Sequence, residues 1–292
     1  MNYILSNEYY DVTLSTYGAE IISIKNKDGY EYLWQAFGNY WDRHAPLLFP
    51  ICGSLKDNTY TYMGKEYSLH LHGFAEDVDF EVKENSDTKI VFVLKSNDAT
   101  REVYPFDFTF EAHYELSGRD INLSVYVKNN SNYAMPYMFG WHPAFVLPTE
   151  DGQDIEDYKI DFHGVDKLYW REFPPKNLER IEFVDFPLEN GEYRLSEEQI
   201  YKNDTLVLSG HTNESTLYAD GHPFSVYMKW SQNLPVLCIW KEDNNETKFI
   251  CIEPWSNVPM GSKLPADFAT KPMNKLLPGQ VEKYDYTVRF TK

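Results

Sequence analysis

The stretch from Phe108 to Asn129 reads FTFEAHYELSGRDINLSVYVKN. On both sides of the LSGRD cluster at 116–120, apolar residues alternate with polar ones, which is the period of a strand with one buried face. The Ser, Gly and Asp residues of the cluster are typical of turns. The stretch therefore predicts two antiparallel strands joined as a hairpin.

Runs of similar composition, rich in Val, Ile, Phe, Tyr and Thr, recur along the chain. They lie at 89–96, 224–230, 235–241, 249–255 and 284–290. A short helix with a Ser-x-x-Gln capping pattern is predicted at 196–203. Because no Gly/Ser linker interrupts the pattern, we predict an all-β fold, a large antiparallel β-sandwich, with residues 1–292 as a single domain.

The charge balance limits the partners of the protein. The 292 residues include 45 acidic and 27 basic side chains, giving a formal net charge of -18, and the basic residues occur singly. Surfaces that bind nucleic acid or an anionic membrane carry clustered Lys and Arg instead. We therefore expect a small neutral or polar molecule as partner, and neither nucleic acid nor membrane.

Two features concern the cellular compartment. The N-terminal residues MNYILSNEYYDVTL have neither the basic nor the apolar region of a signal peptide, so we expect a cytoplasmic protein. Cys52, Cys238 and Cys251 are odd in number, far apart and outside any Cys-x-x-Cys pair, which argues against a disulfide framework or a thiolate zinc site. We expect reduced, half-buried thiols.

One histidine lies in an apolar segment, PYMFGWHPAF at 136–145. His142 follows Trp141 and precedes Pro143, which cannot donate a strand hydrogen bond, so the segment suggests a strand end that opens on a cavity. His142 is therefore either an acid catalyst or a structural histidine bonded to a backbone carbonyl. Glu253 in ICIEPW interrupts an apolar strand, and a buried carboxylate is costly unless it is paired or functional.

Two other positions have competing interpretations. His70 and His72 are spaced i and i+2, so on a strand both would point to one face and could bind a metal ion. Because no third ligand follows at short spacing, we favour one inward and one edge histidine, and no metal. Asp204 is either a functional carboxylate or a turn residue before a strand.

Four motifs carry a family resemblance that extends over the whole chain. They are LFPICGSLKDNTY at 48–60, LHGFAED at 71–77, FGWHPAF at 139–145 and CIEPWSNVP at 251–259. In this order and spacing, the chain resembles the aldose 1-epimerase (galactose mutarotase-like) family, in particular its LacX-type bacterial branch. The resemblance implies a β-supersandwich that binds a sugar, most simply a free aldose, in an open groove without a cofactor.

The resemblance also implies residue roles. His142 corresponds to the general acid, Glu253 to the general base and His72 to a second histidine that orients the sugar. Asp204 is similar in placement to a carboxylate that binds sugar hydroxyls. The implied reaction interconverts the α and β anomers of a hexose, by moving one proton from the C1 hydroxyl and another to the ring oxygen.

Aromatic residues near the motifs are candidates for walls that stack on a pyranose, although each is equally compatible with core packing. These candidates are Trp41, Phe74, Trp141 and Trp255. We further expect a sugar ring to fit between Glu253 and His142, which would make their mutual attraction weak. Burial would then raise the carboxyl pKa, lower the imidazole pKa and narrow the pH range of activity.

The chain departs from the family pattern at two positions. It has Ser54 and Glu76 where relatives often carry Arg, and Arg43 or Lys56 are the nearby cations that could substitute. The alternatives to an aldose mutarotase are a hexose-phosphate 1-epimerase of the same fold, which would need clustered cations, and a non-catalytic sugar-binding protein. The sequence is compatible with a monomer or a homodimer.

Overall fold

The computed structural model describes residues 1–149, 154–171, 184–244, 246–258 and 266–291. Antiparallel strands dominate these residues, as the alternating runs predict. None of the helices in these ranges is long and apolar enough to span a membrane.

The first twelve strands in chain order are β1 (Asn2–Ser6), β2 (Tyr10–Ser15), β3 (Ile21–Asn26), β4 (Leu47–Leu48), β5 (Thr59–Tyr62), β6 (Lys65–Ser68), β7 (Glu81–Asn85), β8 (Lys89–Lys95), β9 (Phe108–Ser117), β10 (Asp120–Asn129), β11 (Met135–Tyr137) and β12 (Gly140–Trp141). The following strands are β13 (Ala144–Val146), β14 (Tyr158–Asp161), β15 (Lys167–Arg171), β16 (Val184–Pro187), β17 (Glu192–Arg194), β18 (Leu206–Ser209), β19 (Glu214–Ala219), β20 (Ser225–Trp230), β21 (Val236–Trp240), β22 (Phe249–Trp255), β23 (Asn274–Leu276) and β24 (Val281–Thr291). The helices are α1 (Asp98–Val103) and α2 (Glu197–Asn203), and the 3₁₀ turns are Lys56–Asn58, Ala75–Asp77 and Ile155–Asp157.

The predicted hairpin forms the middle of the larger sheet. Strands β9 and β10 pair from Phe108 opposite Asn129 to Ser117 opposite Asp120, and every second residue of each strand is buried. Gly118, with φ of 57°, occupies a left-handed conformation in the two-residue turn, which a glycine adopts without strain. The sheet has nine strands in the order β17-β14-β19-β20-β24-β10-β9-β8-β7.

A second sheet carries most of the apolar run at 249–255. Its order is β16-β15-β18-β21-β22-β12-β4, and β13 pairs with β22. Every residue of β22 is buried, as the uninterrupted apolar run indicates. The nine-stranded sheet supplies one such layer: Tyr286 of β24 donates a hydrogen bond of 3.0 Å to the carbonyl of Pro254 in β22.

Most of the core is one cluster of buried apolar side chains that runs in sequence from Leu5 to Phe290, and a small second cluster contains Trp34, Ala144, Phe249 and Cys251. The three cysteines are free thiols and are fully buried, so the expectation of half-buried thiols is wrong. Burial raises the pKa of all three thiols well above the ordinary value, which keeps them protonated and unreactive.

The predicted helix is α2, and Ser196 caps it. The Ser196 hydroxyl accepts a hydrogen bond from the backbone N–H of Gln199, so the Ser-x-x-Gln pattern marks the true N-terminus. The helix ends at Asn203, and Asp204 follows as its C-cap with φ of 60°. This sharp ending turns the chain from α2 into β18.

Candidate functional site

A cleft of about 420 Å³ opens at one end of the second sheet. Seven of the predicted site residues line it: Trp41, Arg43, His72, His142, Asp204, Glu253 and Trp255. They come from five separate segments of the chain, which the sheet order brings together.

The sheet positions the two central residues. Glu253 lies in β22 opposite Cys238 of β21, and its side chain is only 1% exposed. His142 follows β12, whose Gly140 pairs with Trp255 of β22. A Cβ atom at Gly140 would lie 2.4 Å from the Trp255 ring, so this close strand approach requires glycine.

His142 and Glu253 are in direct contact. The Nε2 atom of His142 lies 3.3 Å from Oε2 of Glu253, and His142 is 6% exposed. The expectation that a sugar ring fits between them is therefore wrong, because adjacent strands hold the two groups side by side. Oε2 of Glu253 has no hydrogen-bond partner among the described residues, although it lines the cleft.

Burial shifts both groups toward their neutral forms. It raises the pKa of the Glu253 carboxyl well above its ordinary value, while contact with the Trp255 indole acts in the opposite direction. Burial, and then the nearby His72, lowers the pKa of His142 well below its ordinary value. The two groups together therefore favour states in which they share one proton.

Indole rings enclose the imidazole of His142. Trp41 stacks on it with ring centroids 4.8 Å apart, and Trp240 meets it edge-on at 5.6 Å. The indole N–H of Trp34 holds the Trp41 backbone by a 2.9 Å bond to its carbonyl. The apolar setting that the sequence indicates for His142 is thus supplied mainly by rings distant in sequence.

The backbone fixes His72 in one tautomer. Its Nδ1 accepts a 3.1 Å hydrogen bond from the N–H of Gly53, so the neutral ring carries its proton on Nε2. The N–H of His72 donates in return to the Gly53 carbonyl, also at 3.1 Å. The ring lies edge-on to His142 at 5.6 Å, and burial lowers the pKa of His72 to about 4.

Arg43 faces the cleft but has local partners. One guanidinium nitrogen donates to the backbone carbonyl of Glu76 at 3.0 Å, and another pairs with the carboxylate of Asp77. Lys56, the other nearby cation, is exposed and does not line the cleft. Burial raises the pKa of the Glu76 carboxyl to about 7, although the Arg43 guanidinium acts in the opposite direction.

Two predicted wall residues lie in the core instead. Trp141 is 2% exposed and donates its indole N–H to the carbonyl of Ala45. Phe74 packs against Phe49, Tyr104 and Phe108. Neither belongs to the cleft lining, because both side chains are buried against other core residues.

Residues 1–286 of the 292 match the family model described as aldose 1-epimerase. The chain belongs to the aldose 1-epimerase family. It is 31% identical to the plasmid-encoded protein LacX of Lactococcus lactis subsp. lactis, over 97% of each chain.

Two solved structures resemble this family member closely. A galactose mutarotase related enzyme from Lactobacillus acidophilus is 34% identical, with a TM-score of 0.92 over 100% of this chain and 98% of the other. A galactose mutarotase-like protein from Lactobacillus casei is 26% identical, with a TM-score of 0.88 over 99% and 100%. The galactose mutarotase-like fold that the motifs imply is confirmed.

Sequence reasoning missed several residues of this cleft, among them Trp240 and Asp42. Trp240 ends β21 and Asp42 follows Trp41, and both line the cleft. Trp240 lies in the predicted run at 235–241, but only the pairing of β21 with the strand of Glu253 places it at the cleft. Nothing local in the sequence distinguishes Asp42 from a surface loop residue.

The metal hypothesis for His70 and His72 does not fit the fold. They lie in a turn, where His70 is exposed outside the cleft and His72 lines it. The described residues instead bring ligand atoms of His142, Cys251 and Glu253 within 4.8 Å of one another. Burial raises the pKa of both the Cys251 thiol and the Glu253 carboxyl, and this opposes the deprotonation that metal binding needs.

Proposed function

We propose that the protein is an aldose 1-epimerase that interconverts the α and β anomers of a free hexose. The observation that carries the proposal is the contact of 3.3 Å between His142 Nε2 and Glu253 Oε2 in an indole-lined cleft. Anomer interconversion needs one base and one acid at neighbouring oxygens, and this pair offers both.

Both reacting oxygens of the sugar are bonded to C1, so side-by-side groups can reach them from one side. Glu253 takes the proton of the C1 hydroxyl while His142 protonates the ring oxygen. The bond between C1 and the ring oxygen then breaks, leaving an open-chain aldehyde. Rotation about C1–C2 followed by the reverse transfers closes the ring as the other anomer.

The proton count of the pair stays constant through the cycle. Before ring opening the proton is on His142, and after it the proton is on Glu253. Because burial favours the neutral forms of both groups, it stabilises the arrangement reached on ring opening. The reaction therefore needs no proton from solvent and no cofactor.

Two further residues fit sugar-binding roles. The neutral His72 has its Nε2–H free to donate to a sugar oxygen, because Gly53 occupies Nδ1. Asp204 also lines the cleft, where its carboxylate can accept hydrogen bonds from hydroxyls. The faces of Trp41, Trp240 and Trp255 supply apolar surface for the C–H groups of the ring.

Polarimetry with freshly dissolved α-glucose and α-galactose tests the proposal. We expect the optical rotation to relax faster than in buffer alone, at a rate proportional to protein concentration. A relaxation equal to the buffer blank for both sugars, and for other hexoses by anomer-resolved NMR, would contradict the activity.

A further inference from the structure

The charged side chains of the cleft are mostly acidic. In the described part of the chain, the lining contains the carboxyl groups of Asp42, Glu76, Asp204 and Glu253 against a single guanidinium, that of Arg43. Glu253 belongs to the reacting pair, but the other three acids are not needed for the proton transfers. Their combined field acts on any charge that a sugar brings into the cleft.

Arg43 does not offset this field fully. Its guanidinium is already bonded to the Glu76 carbonyl and to the Asp77 carboxylate, and it lies 5.5 Å over the ring of Tyr17. A phosphate or carboxylate on a sugar would have to compete with Asp77 for this cation. Among the described residues, the cleft therefore does not bring together the clustered free donors that an anionic sugar requires.

Among these acids, Glu76 is best placed to interact with a charged group of a ligand. Within the described part of the chain its carboxylate has neither a hydrogen bond nor an ion pair, although the residue is only partly exposed and lines the cleft. Glu253 is 1% exposed and, apart from a 3.3 Å contact with His142 Nε2, its Oε2 has no hydrogen bond to the described residues, which also indicates that this cleft receives a polar ligand. Burial raises the pKa of the Glu76 carboxyl and the charge of the nearby Arg43 opposes this rise, but a partly buried carboxylate without a hydrogen bond still gains from a cationic or donor group.

We propose that Glu76 makes the cleft selective by charge, so that aldoses bearing an ammonium group bind best, neutral aldoses next and anionic sugars least. The proposal rests on the proposed function in taking this cleft as the sugar site. An ammonium group also favours the ionised form of Glu76, whose pKa burial raises to about 7. The preferred substrates are thus neutral and amino sugars, and phosphorylated sugars and uronates bind more weakly.

The test uses a series that changes charge at one carbon: 6-amino-6-deoxyglucose, glucose and glucuronate, with 2-amino-2-deoxyglucose as a second amino position. Binding is measured by titration calorimetry and anomer exchange by NMR, at pH 8, for the wild type, Glu76→Gln and Glu76→Arg. Glu102→Gln is the matched control. Glu102 is exposed in α1, so this substitution removes the same charge at a position outside the cleft.

For the wild type we expect the amino sugar to bind about tenfold more tightly than glucuronate, the size of one charge-assisted contact. Glu76→Gln should bring this ratio of affinities close to one, and Glu76→Arg should make glucuronate the tighter ligand. Glu102→Gln should leave the ratio unchanged. Added salt should reduce the wild-type ratio. Equal affinities across the series, or a ratio that Glu76→Gln does not change, would overturn the inference.

The calorimetry separates this inference from the proposed function. If glucose anomers exchange but the affinities do not follow charge, the charge selection is wrong and the epimerase proposal stands. If the affinities follow charge but no sugar is interconverted, the epimerase proposal fails and the selection by Glu76 stands. If no sugar binds, both are overturned.

Discussion

A single proton shared by His142 and Glu253 is the central feature at the scale of residues. The state with one proton carries no net charge, whereas the states with two protons or none carry a charge of +1 or −1 in a buried site. Burial penalises both charged states, which is why it lowers the pKa of His142 and raises that of Glu253. The active state should therefore extend over a wide pH range.

The pH profile of kcat/KM should accordingly be broad, and not narrow as the sequence suggested. Activity is lost at low pH when the pair binds a second proton and at high pH when it loses the last one. We expect constant activity around neutrality. The acid limb should lie below about pH 4.3, the ordinary pKa of Glu, and the alkaline limb above about pH 6.5, the ordinary pKa of His. A profile that peaks between these two values and has fallen by about pH 7.5 would contradict the shared proton.

His72 should make stability depend on pH. Its folded pKa of about 4 lies below the ordinary 6.5, so the folded state binds fewer protons and the contribution is full above pH 6.5 and lost as the pH falls toward 4. The loss should be about 2–3 kcal/mol. His72→Asn keeps an acceptor for Gly53 and tolerates the left-handed φ of 64°, but does not titrate.

Chemical denaturation at pH 7, 6, 5 and 4 measures this difference between the two proteins. We expect the wild type to lose more free energy of unfolding than His72→Asn across the series. Identical pH dependence of both proteins would show that His72 is not held neutral by the fold.

Strand alternation explains which wall residues could be predicted. Glu253 and Trp255 are two residues apart in β22, so their side chains share a face and both reach the cleft. Trp141 immediately precedes His142 and therefore points the other way, into the core. Choosing aromatic residues by nearness in sequence was misleading, whereas the period of two distinguishes these cases.

At the scale of elements, local sequence patterns predict the strands but not the order in which the strands pair. All seven predicted runs lie within or largely overlap strands, such as β9, β10 and β22, because alternation is a local signal. Cleft residues such as Trp240 and Asp42 depend on the order of strands in the sheet, which local patterns do not contain. The sequence therefore predicted the catalytic candidates through their motifs, and missed neighbours that only the topology supplies.

The turn that carries His72 depends on Gly73. This residue has φ of 88°, and a Cβ atom there would lie 2.4 Å from the Phe49 carbonyl oxygen. Gly221 has a similar φ of 73° with nothing within 4 Å, so it serves as a control for backbone strain alone. We expect Gly221→Ala to cost about 1–2 kcal/mol without loss of activity.

Gly73→Ala should cost about 1–3 kcal/mol more than Gly221→Ala, because the new methyl group meets backbone that cannot move freely. The shift should also displace His72 and lower the rate of anomer exchange. Thermal unfolding and polarimetry of both variants measure the two effects. Equal destabilisation of both variants, with full activity, would mean that the close approach to Phe49 is unimportant.

At the scale of the whole molecule, the two large sheets share their buried side chains. Tyr286 of the nine-stranded sheet contacts Trp141 at 5.3 Å between ring centroids and donates to the Pro254 carbonyl beside Glu253. One apolar cluster reaches from Leu5 to Phe290. We propose from this continuity that residues 1–292 fold as a single domain, as the unbroken strand pattern suggested.

A single domain should unfold in one cooperative step. Guanidinium denaturation followed by tryptophan fluorescence and by far-ultraviolet circular dichroism should give coincident transitions. Two separated transitions, or a fluorescence change that precedes loss of β-structure, would show that one sheet unfolds independently of the other.

The most direct measurement of the central claim is the rate at which α-glucose reaches anomeric equilibrium with Glu253→Gln and with His142→Ala. Each change removes one member of the proton-sharing pair, so we expect each to lower kcat by about 10²–10⁴, with circular dichroism unchanged and glucose still bound. If either variant keeps more than about half of the wild-type rate, the pair does not perform the acid–base chemistry.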